Sequence, residues 1–270
     1  MGPESVGDDL AFAVKDAPTD PLEAYVRLLV RAAEEPAVVG VVAFGSRAVG
    51  ADITAQSDVD CFVVVDGSDE ETRAWSTPHG ASVEVWPVTL DAFRSHALPG
   101  DEFAWNRPSF IRARVDLDKL DGEVAAIVDA KRRLAPDEGR ALVDAALDDA
   151  INSIYRALKS VEAGRLAAAR LDAVEAIGPL LTTAFALESR VRPWNRWLEH
   201  ELAEDPLRTT EFAGLLDVVA GLAGGATADQ LRDAFRLLEG PARSAGHGPI
   251  VDGWEPDVAW LRGERAYREG

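Results

Sequence analysis

The chain has 270 residues, 47 acidic against 28 basic, and a net charge of −19. Such a field repels a nucleic-acid backbone, whose binding relies on Lys and Arg neutralising phosphates, and it attracts a cationic substrate. The lone cysteine, Cys61, excludes a disulfide scaffold. Residues 1–20 lack the basic start and apolar run of a signal peptide, and no uninterrupted apolar stretch of about eighteen residues is present to span a bilayer, so a soluble cytoplasmic protein is expected.

Residues 1–19 carry no periodic pattern and read as a flexible N-terminus. From Pro21 to Glu34, apolar residues at Leu22, Tyr25, Leu28, Leu29 and Ala32 have helical spacing, and Pro36 ends the helix. Val38–Phe44 reads as a buried strand, Gly45-Ser46 as a tight turn, and Asp58–Val65 as a second strand closed by Asp66-Gly67. Ala81–Val88 gives a third strand, with Val83 and Val85 alternating against Glu84 and Trp86. A fourth is expected at Ile111–Val115 and a helix at Asp121–Leu134. Strands mixed with helices up to residue 135 predict an α/β domain over 20–135.

Beyond Pro136 the strand patterns stop. Residues 137–164, 165–190 and 193–204 are Ala/Leu-rich with helical spacing, and 206–222, 227–239 and 255–263 look alike. A helical bundle is expected over 136–270, with Gly178-Pro179 kinking or interrupting its second helix.

The chemistry concentrates in two places. Asp58 and Asp60 stand at i and i+2 of a strand, so both project from one face. Two adjacent carboxylates repel unless a cation sits between them, and Mg²⁺ is the usual one. Gly45 allows close backbone approach, and Ser46 offers a hydroxyl and a backbone N–H to a phosphate. Arg47 follows as a bidentate phosphate partner or a surface residue, and Ser57 as a further nucleotide contact or merely the entry to the strand. Together these residues point to a metal-bound nucleoside triphosphate.

Gly45-Ser46, with Asp58-x-Asp60 beginning twelve positions after Ser46, resembles the signature of the DNA polymerase β-like nucleotidyltransferase superfamily. The resemblance implies a nucleotidyltransferase domain built on a small mixed sheet. It also implies a third carboxylate on a later strand, matched here by Glu84 as metal ligand or general base, and two Mg²⁺ ions with ATP or another triphosphate. The helical second domain, with Leu171-Asp172 through Glu175 and Phe185 through Leu198, resembles the aminoglycoside and lincosamide nucleotidyltransferase branch. That likeness implies transfer of a nucleoside monophosphate, AMP from ATP being the leading case, to a hydroxyl of a small, cationic acceptor such as an aminoglycoside.

Several side chains are weaker candidates. Tyr155 and Lys159 share a helix face, which makes Lys159 a phosphate contact or an exposed lysine paired with Glu162. Asp172 and Glu175, at i and i+3, line an acceptor pocket or a solvated face. Trp86, like Trp105, Trp194 and Trp197, walls a substrate cleft or packs in a core. Cys61 is expected on the opposite side of the sheet from the carboxylates. The four histidines have no ligand spacing, which argues against zinc. The sequence leaves open a transferase acting on a protein or RNA hydroxyl, a catalytically silent nucleotide-binding protein, and a monomer or homodimer.

Overall fold

Helix α1 (Pro21–Glu34) starts where the Asp20 side chain accepts the N–H of Leu22 and Pro21 fills the first turn. Its apolar stripe of Ala24, Tyr25, Leu28 and Ala32 is buried. In this computed structural model the described residues are 20–51, 53–54 and 57–266, and the N-terminal segment 1–19 lies outside them. They form two compact units, divided between Arg133 and Leu134.

The first unit holds a four-stranded sheet in the order β3-β2-β1-β4. Strand β1 (Val38–Phe44) runs antiparallel to both β2 (Val59–Val65) and β4 (Arg114–Asp118), and β2 runs parallel to β3 (Val83–Thr89). The sheet is therefore mixed, and it is buried on both faces. Val41, Ala43, Cys61, Val63 and Val85 face α1. Val42, Phe44, Phe62 and Val64 face the residues that follow β3, including α4 (Leu90–Ser95) and α5 (Glu123–Arg132). Cys61 takes the expected face opposite the carboxylates, and burial pushes its thiol pKa up.

Short elements fill the connections. The Gly45-Ser46 turn is the first turn of helix α2 (Gly45–Val49), five residues too short to show a periodicity. Helix α3 (Asp69–Arg73) is closed by a Ser68–Glu71 capping box. A 3₁₀ helix, Ala104–Phe110, precedes β4 and moves that strand to Arg114–Asp118, three residues beyond the expected 111–115. The outer edge of β3 is closed to further pairing where it matters: Thr77 Oγ1 accepts the Val85 N–H at 2.8 Å, and Pro87 has no N–H to offer.

All described elements of the second unit are helical. Helices α6 (Pro136–Glu162) and α7 (Leu166–Ala186) form its long antiparallel pair, joined through Gly164. Their shared core of Ile151, Ile154, Leu158, Ala173, Leu180 and Ala184 is extended by α8 (Leu198–Glu204), α9 (Leu215–Ala223), α10 (Ala228–Ser244), α11 (Gly248–Asp252) and α12 (Val258–Leu261). Of the kink or interruption expected at Gly178-Pro179, the interruption does not occur. Helix α7 runs through it, with the Gly178 carbonyl accepting from Thr182 and Arg192, so the helix is held by packing and side-chain hydrogen bonds. Among the described residues no helix is long and apolar enough to cross a membrane.

Candidate active site

Strand register brings the three acidic residues together. Asp60 of β2 is the direct neighbour of Glu84 on β3, and Phe44, the last residue of β1, pairs with Asp60 from the other side. Asp58 lies two residues before Asp60 and shares its face. Each of Asp58, Asp60 and Glu84 offers a carboxylate oxygen, and these oxygens lie within 4.8 Å of one another. All three residues are half-buried. An oxygen-only donor set with no sulfur or imidazole among the three ligands fits a hard divalent cation such as Mg²⁺.

Gly45 is fixed there by two separate constraints. Its φ of +76° belongs to the left-handed region, and a Cβ at this position would stand 2.1 Å from Asp60 Oδ2. The backbone of β1–α2 therefore closes directly over one carboxylate of the triad. Ser46, beside it, is buried.

Arg47 Nε and Nη2 both donate to the Ser57 carbonyl, at 3.0 and 2.8 Å. The guanidinium thus clamps the backbone one residue before Asp58. Ser57 Oγ in turn accepts the Thr54 N–H at 2.9 Å. His79 Nδ1 lies 3.8 Å from Glu84 Oε1 on a side chain that is almost fully exposed, a neighbour that sequence spacing did not reveal.

Trp86 follows Glu84 on the same face and stands T-shaped to Phe44 and Phe62, with ring centroids 6.2 and 6.3 Å away. Asp172 and Glu175 are not left open for a cationic ligand: both are paired with Arg156, Asp172 at 3.3 Å. That partner lies a helix away, on α6, beyond the reach of i, i+3 reasoning. Lys159 Nζ lies 5.2 Å from the Tyr155 ring centroid, a cation–π contact within the helical unit. Glu162, its expected partner, receives the Trp260 indole N–H at 2.9 Å. Trp105 is exposed and Trp197 is buried, so the tryptophans do not act as one set.

Residues 26–120 match the family model described as nucleotidyltransferase domain, a span that runs from within α1 past the end of β4 and contains the whole triad. A solved structure of a nucleotidyltransferase-like protein from Exiguobacterium sibiricum is similar over 91% of this chain and 80% of that one, at 14% identity and a TM-score of 0.45. Among curated proteins there is no match. The matched domain and the acidic triad together fit a metal-dependent transfer.

Proposed function

We propose that this protein is a Mg²⁺-dependent nucleotidyltransferase that moves a nucleoside monophosphate, AMP from ATP in the leading case, onto a hydroxyl of a small molecule and releases pyrophosphate. In this reading residues 20–135 are the catalytic domain and 136–270 a helical domain. The supporting observation is the convergence of Asp58, Asp60 and Glu84 beneath Gly45, inside the span matched to the nucleotidyltransferase domain.

Asp58, Asp60 and Glu84 are the residues that hold the metal. When bound, Mg²⁺ supplies charge neutralisation for the triphosphate and a lowered pKa for the acceptor hydroxyl. The chain's own residues do the rest. Gly45 brings the backbone to the phosphates, Ser46 contributes a hydroxyl to them, and Arg47 fixes the Ser57 carbonyl and with it the direction of Asp58. The acceptor oxygen forms a bond to the α-phosphorus as the bond from that phosphorus to the bridging oxygen of the β-phosphate breaks. Pyrophosphate leaves, and the hydroxyl proton passes to a triad carboxylate.

The net charge of −19 would draw a cationic acceptor, so aminoglycoside-type polycations belong in a panel of acceptors alongside uncharged hydroxyl compounds. Incubation with Mg²⁺, each nucleoside triphosphate and that panel should release pyrophosphate in at least one combination. Asp60→Asn should abolish the release while circular dichroism stays unchanged. Full activity in Asp60→Asn would refute the assignment.

A further inference from the structure

A groove of about 280 Å³ opens beside Glu84 on the carboxylate face of the sheet. Its floor is built by Phe62 and Trp86, each two residues beyond a triad carboxylate on the same strand and therefore on the same face. Its wall is His96 and Phe103, whose ring centroids lie 5.2 Å apart at 33°. Thr77 bounds it at the edge of β3, tied down by the Val85 N–H.

Each wall is preorganised. His96 is held by a buried chain in which the Ser109 hydroxyl donates to Asn106 Oδ1 at 2.7 Å and Asn106 Nδ2 meets His96 Nε2 at 3.2 Å. An amide nitrogen can only donate, so Nε2 accepts and the neutral ring carries its proton on Nδ1, on the side of Asp101, whose carboxylate is 3.8 Å away. Burial lowers the His96 pKa, so an uncharged ring lines the groove at neutral pH. Phe62 packs against Phe110 and Phe93 behind it, with centroids 5.4 and 5.5 Å away.

The lining states what fits. Among the described residues that line it there is no lysine or arginine, which is unsuited to a triphosphate. A peptide strand finds no continuous row of donors, because the Val85 N–H is capped and Pro87 has none. Its volume lies just below the range of drug-sized pockets, about 300–1,000 Å³, which suits one or two fused rings. Glu84, the one carboxylate among the described residues of the lining, belongs to the triad.

We propose that this groove is the acceptor subsite and that it takes an aryl alcohol, a one- or two-ring aromatic group stacked among Trp86, His96 and Phe103 with its hydroxyl on a short arm directed to Glu84. The assignment of the reaction rests on the nucleotidyltransferase reading; the binding of the ring does not. In the transfer, the aryl alcohol oxygen joins the α-phosphorus, the bridge to the β-phosphate breaks with pyrophosphate leaving, and the proton goes to a triad carboxylate.

The test uses the full chain and 2-naphthylmethanol as probe, followed by ligand-detected NMR and calorimetry without metal or nucleotide. Saturable binding is expected, about tenfold weaker in Phe103→Ala and in Trp86→Leu. Phe103 lies at the exposed rim, so its variant should fold even if the Trp86 variant does not. Leu22→Ser, on the exposed side of α1, should bind as wild type does. With Mg²⁺ and triphosphate added, the probe should gain a nucleoside monophosphate. No saturable binding, equal binding in Phe103→Ala, or displacement of the probe by adenosine would overturn the proposal, the last by making the groove a base site. Binding without nucleotidyl transfer to the probe would leave the ring site standing and overturn its role as acceptor subsite; pyrophosphate release with other acceptors and no probe binding would sink the groove alone.

Discussion

Gly45→Ala is the perturbation whose consequence the structure states most directly. A non-glycine residue at φ +76° costs about 1–2 kcal/mol in backbone strain. The new methyl would also start 2.1 Å from Asp60 Oδ2, against ordinary contacts of about 3.5–4.0 Å, so the carboxylate must retreat by roughly 1–2 Å. Strain of that size lowers Tm by a few degrees, at about 2–4 °C per kcal/mol. A shift of about 1 Å in a group that positions the reaction costs on the order of 100-fold in rate. The expected outcome is a protein that folds, melts slightly early, and loses pyrophosphate release about 100-fold. Because Asp60→Asn alone abolishes release, adding Gly45→Ala to it should cost no further activity, while the backbone strain at residue 45 still lowers Tm. Differential scanning calorimetry and an enzyme-coupled pyrophosphate assay read the two effects separately. Unchanged Tm with activity within threefold of wild type would refute the claim that Gly45 is required by its contact with Asp60.

The other predictions concern the supports of the site and the stability of each unit. Arg47→Ala should weaken Mn²⁺ binding in the absence of nucleotide by about tenfold, and Arg47→Lys should not restore it, since an ammonium lacks the two-pronged fork; a pure phosphate contact would leave metal binding untouched and raise only the KM for nucleotide. Lys131, fully buried with Nζ donating to the Arg94 carbonyl at 2.9 Å, has its pKa lowered to about 8 by burial and by the charge of Arg107. The unfolded chain keeps that proton up to about pH 10.5, so stability should rise from pH 8 to 10.5, by about 3 kcal/mol at the limit, and Lys131→Met should flatten that rise in urea titrations. In the helical unit, burial raises the carboxyl of Glu239, but hydrogen bonds from Arg262 and Arg243 outweigh it and hold the pKa low. Its contribution is present above the ordinary carboxylate range and is lost as pH falls through the lowered value. Glu239→Gln should therefore destabilise at neutral pH by about 1–3 kcal/mol and less in acid.

Elements whose pattern is complete within one segment were legible in the sequence. Helix α1 and strand β1 fall on the expected residues because Pro21, Pro36 and an unbroken apolar run mark their limits. The pairing of Asp60 with Glu84 was implied only by family resemblance, because register between two strands is a non-local property; β2–β3 hydrogen bonding supplies it. The expected fourth strand, 111–115, stops before Asp116 and Asp118, which lie in β4. Their carboxylates are satisfied by tertiary contacts: Asp116 by the Tyr25 hydroxyl at 2.6 Å and by Arg114, and Asp118 by the Ala125 N–H at 3.0 Å. Arg156 was missed as the partner of Asp172 and Glu175 because it comes from another helix. Trp86 is legible as a cleft candidate, and alternation carried past Asp60 adds Phe62, but His96 and Phe103 join them only through tertiary packing.

Nucleotidyl transfer is separated from every other phosphate chemistry by the fate of the label. With Mg²⁺, nucleoside triphosphates labelled at either the α or the γ phosphorus, and a panel of aminoglycosides and aryl alcohols, the α label should appear on the acceptor and the γ label in pyrophosphate. Both should vanish in Asp60→Asn. Transfer of the γ label to the acceptor, or α transfer that persists in Asp60→Asn, would contradict the role assigned to the triad.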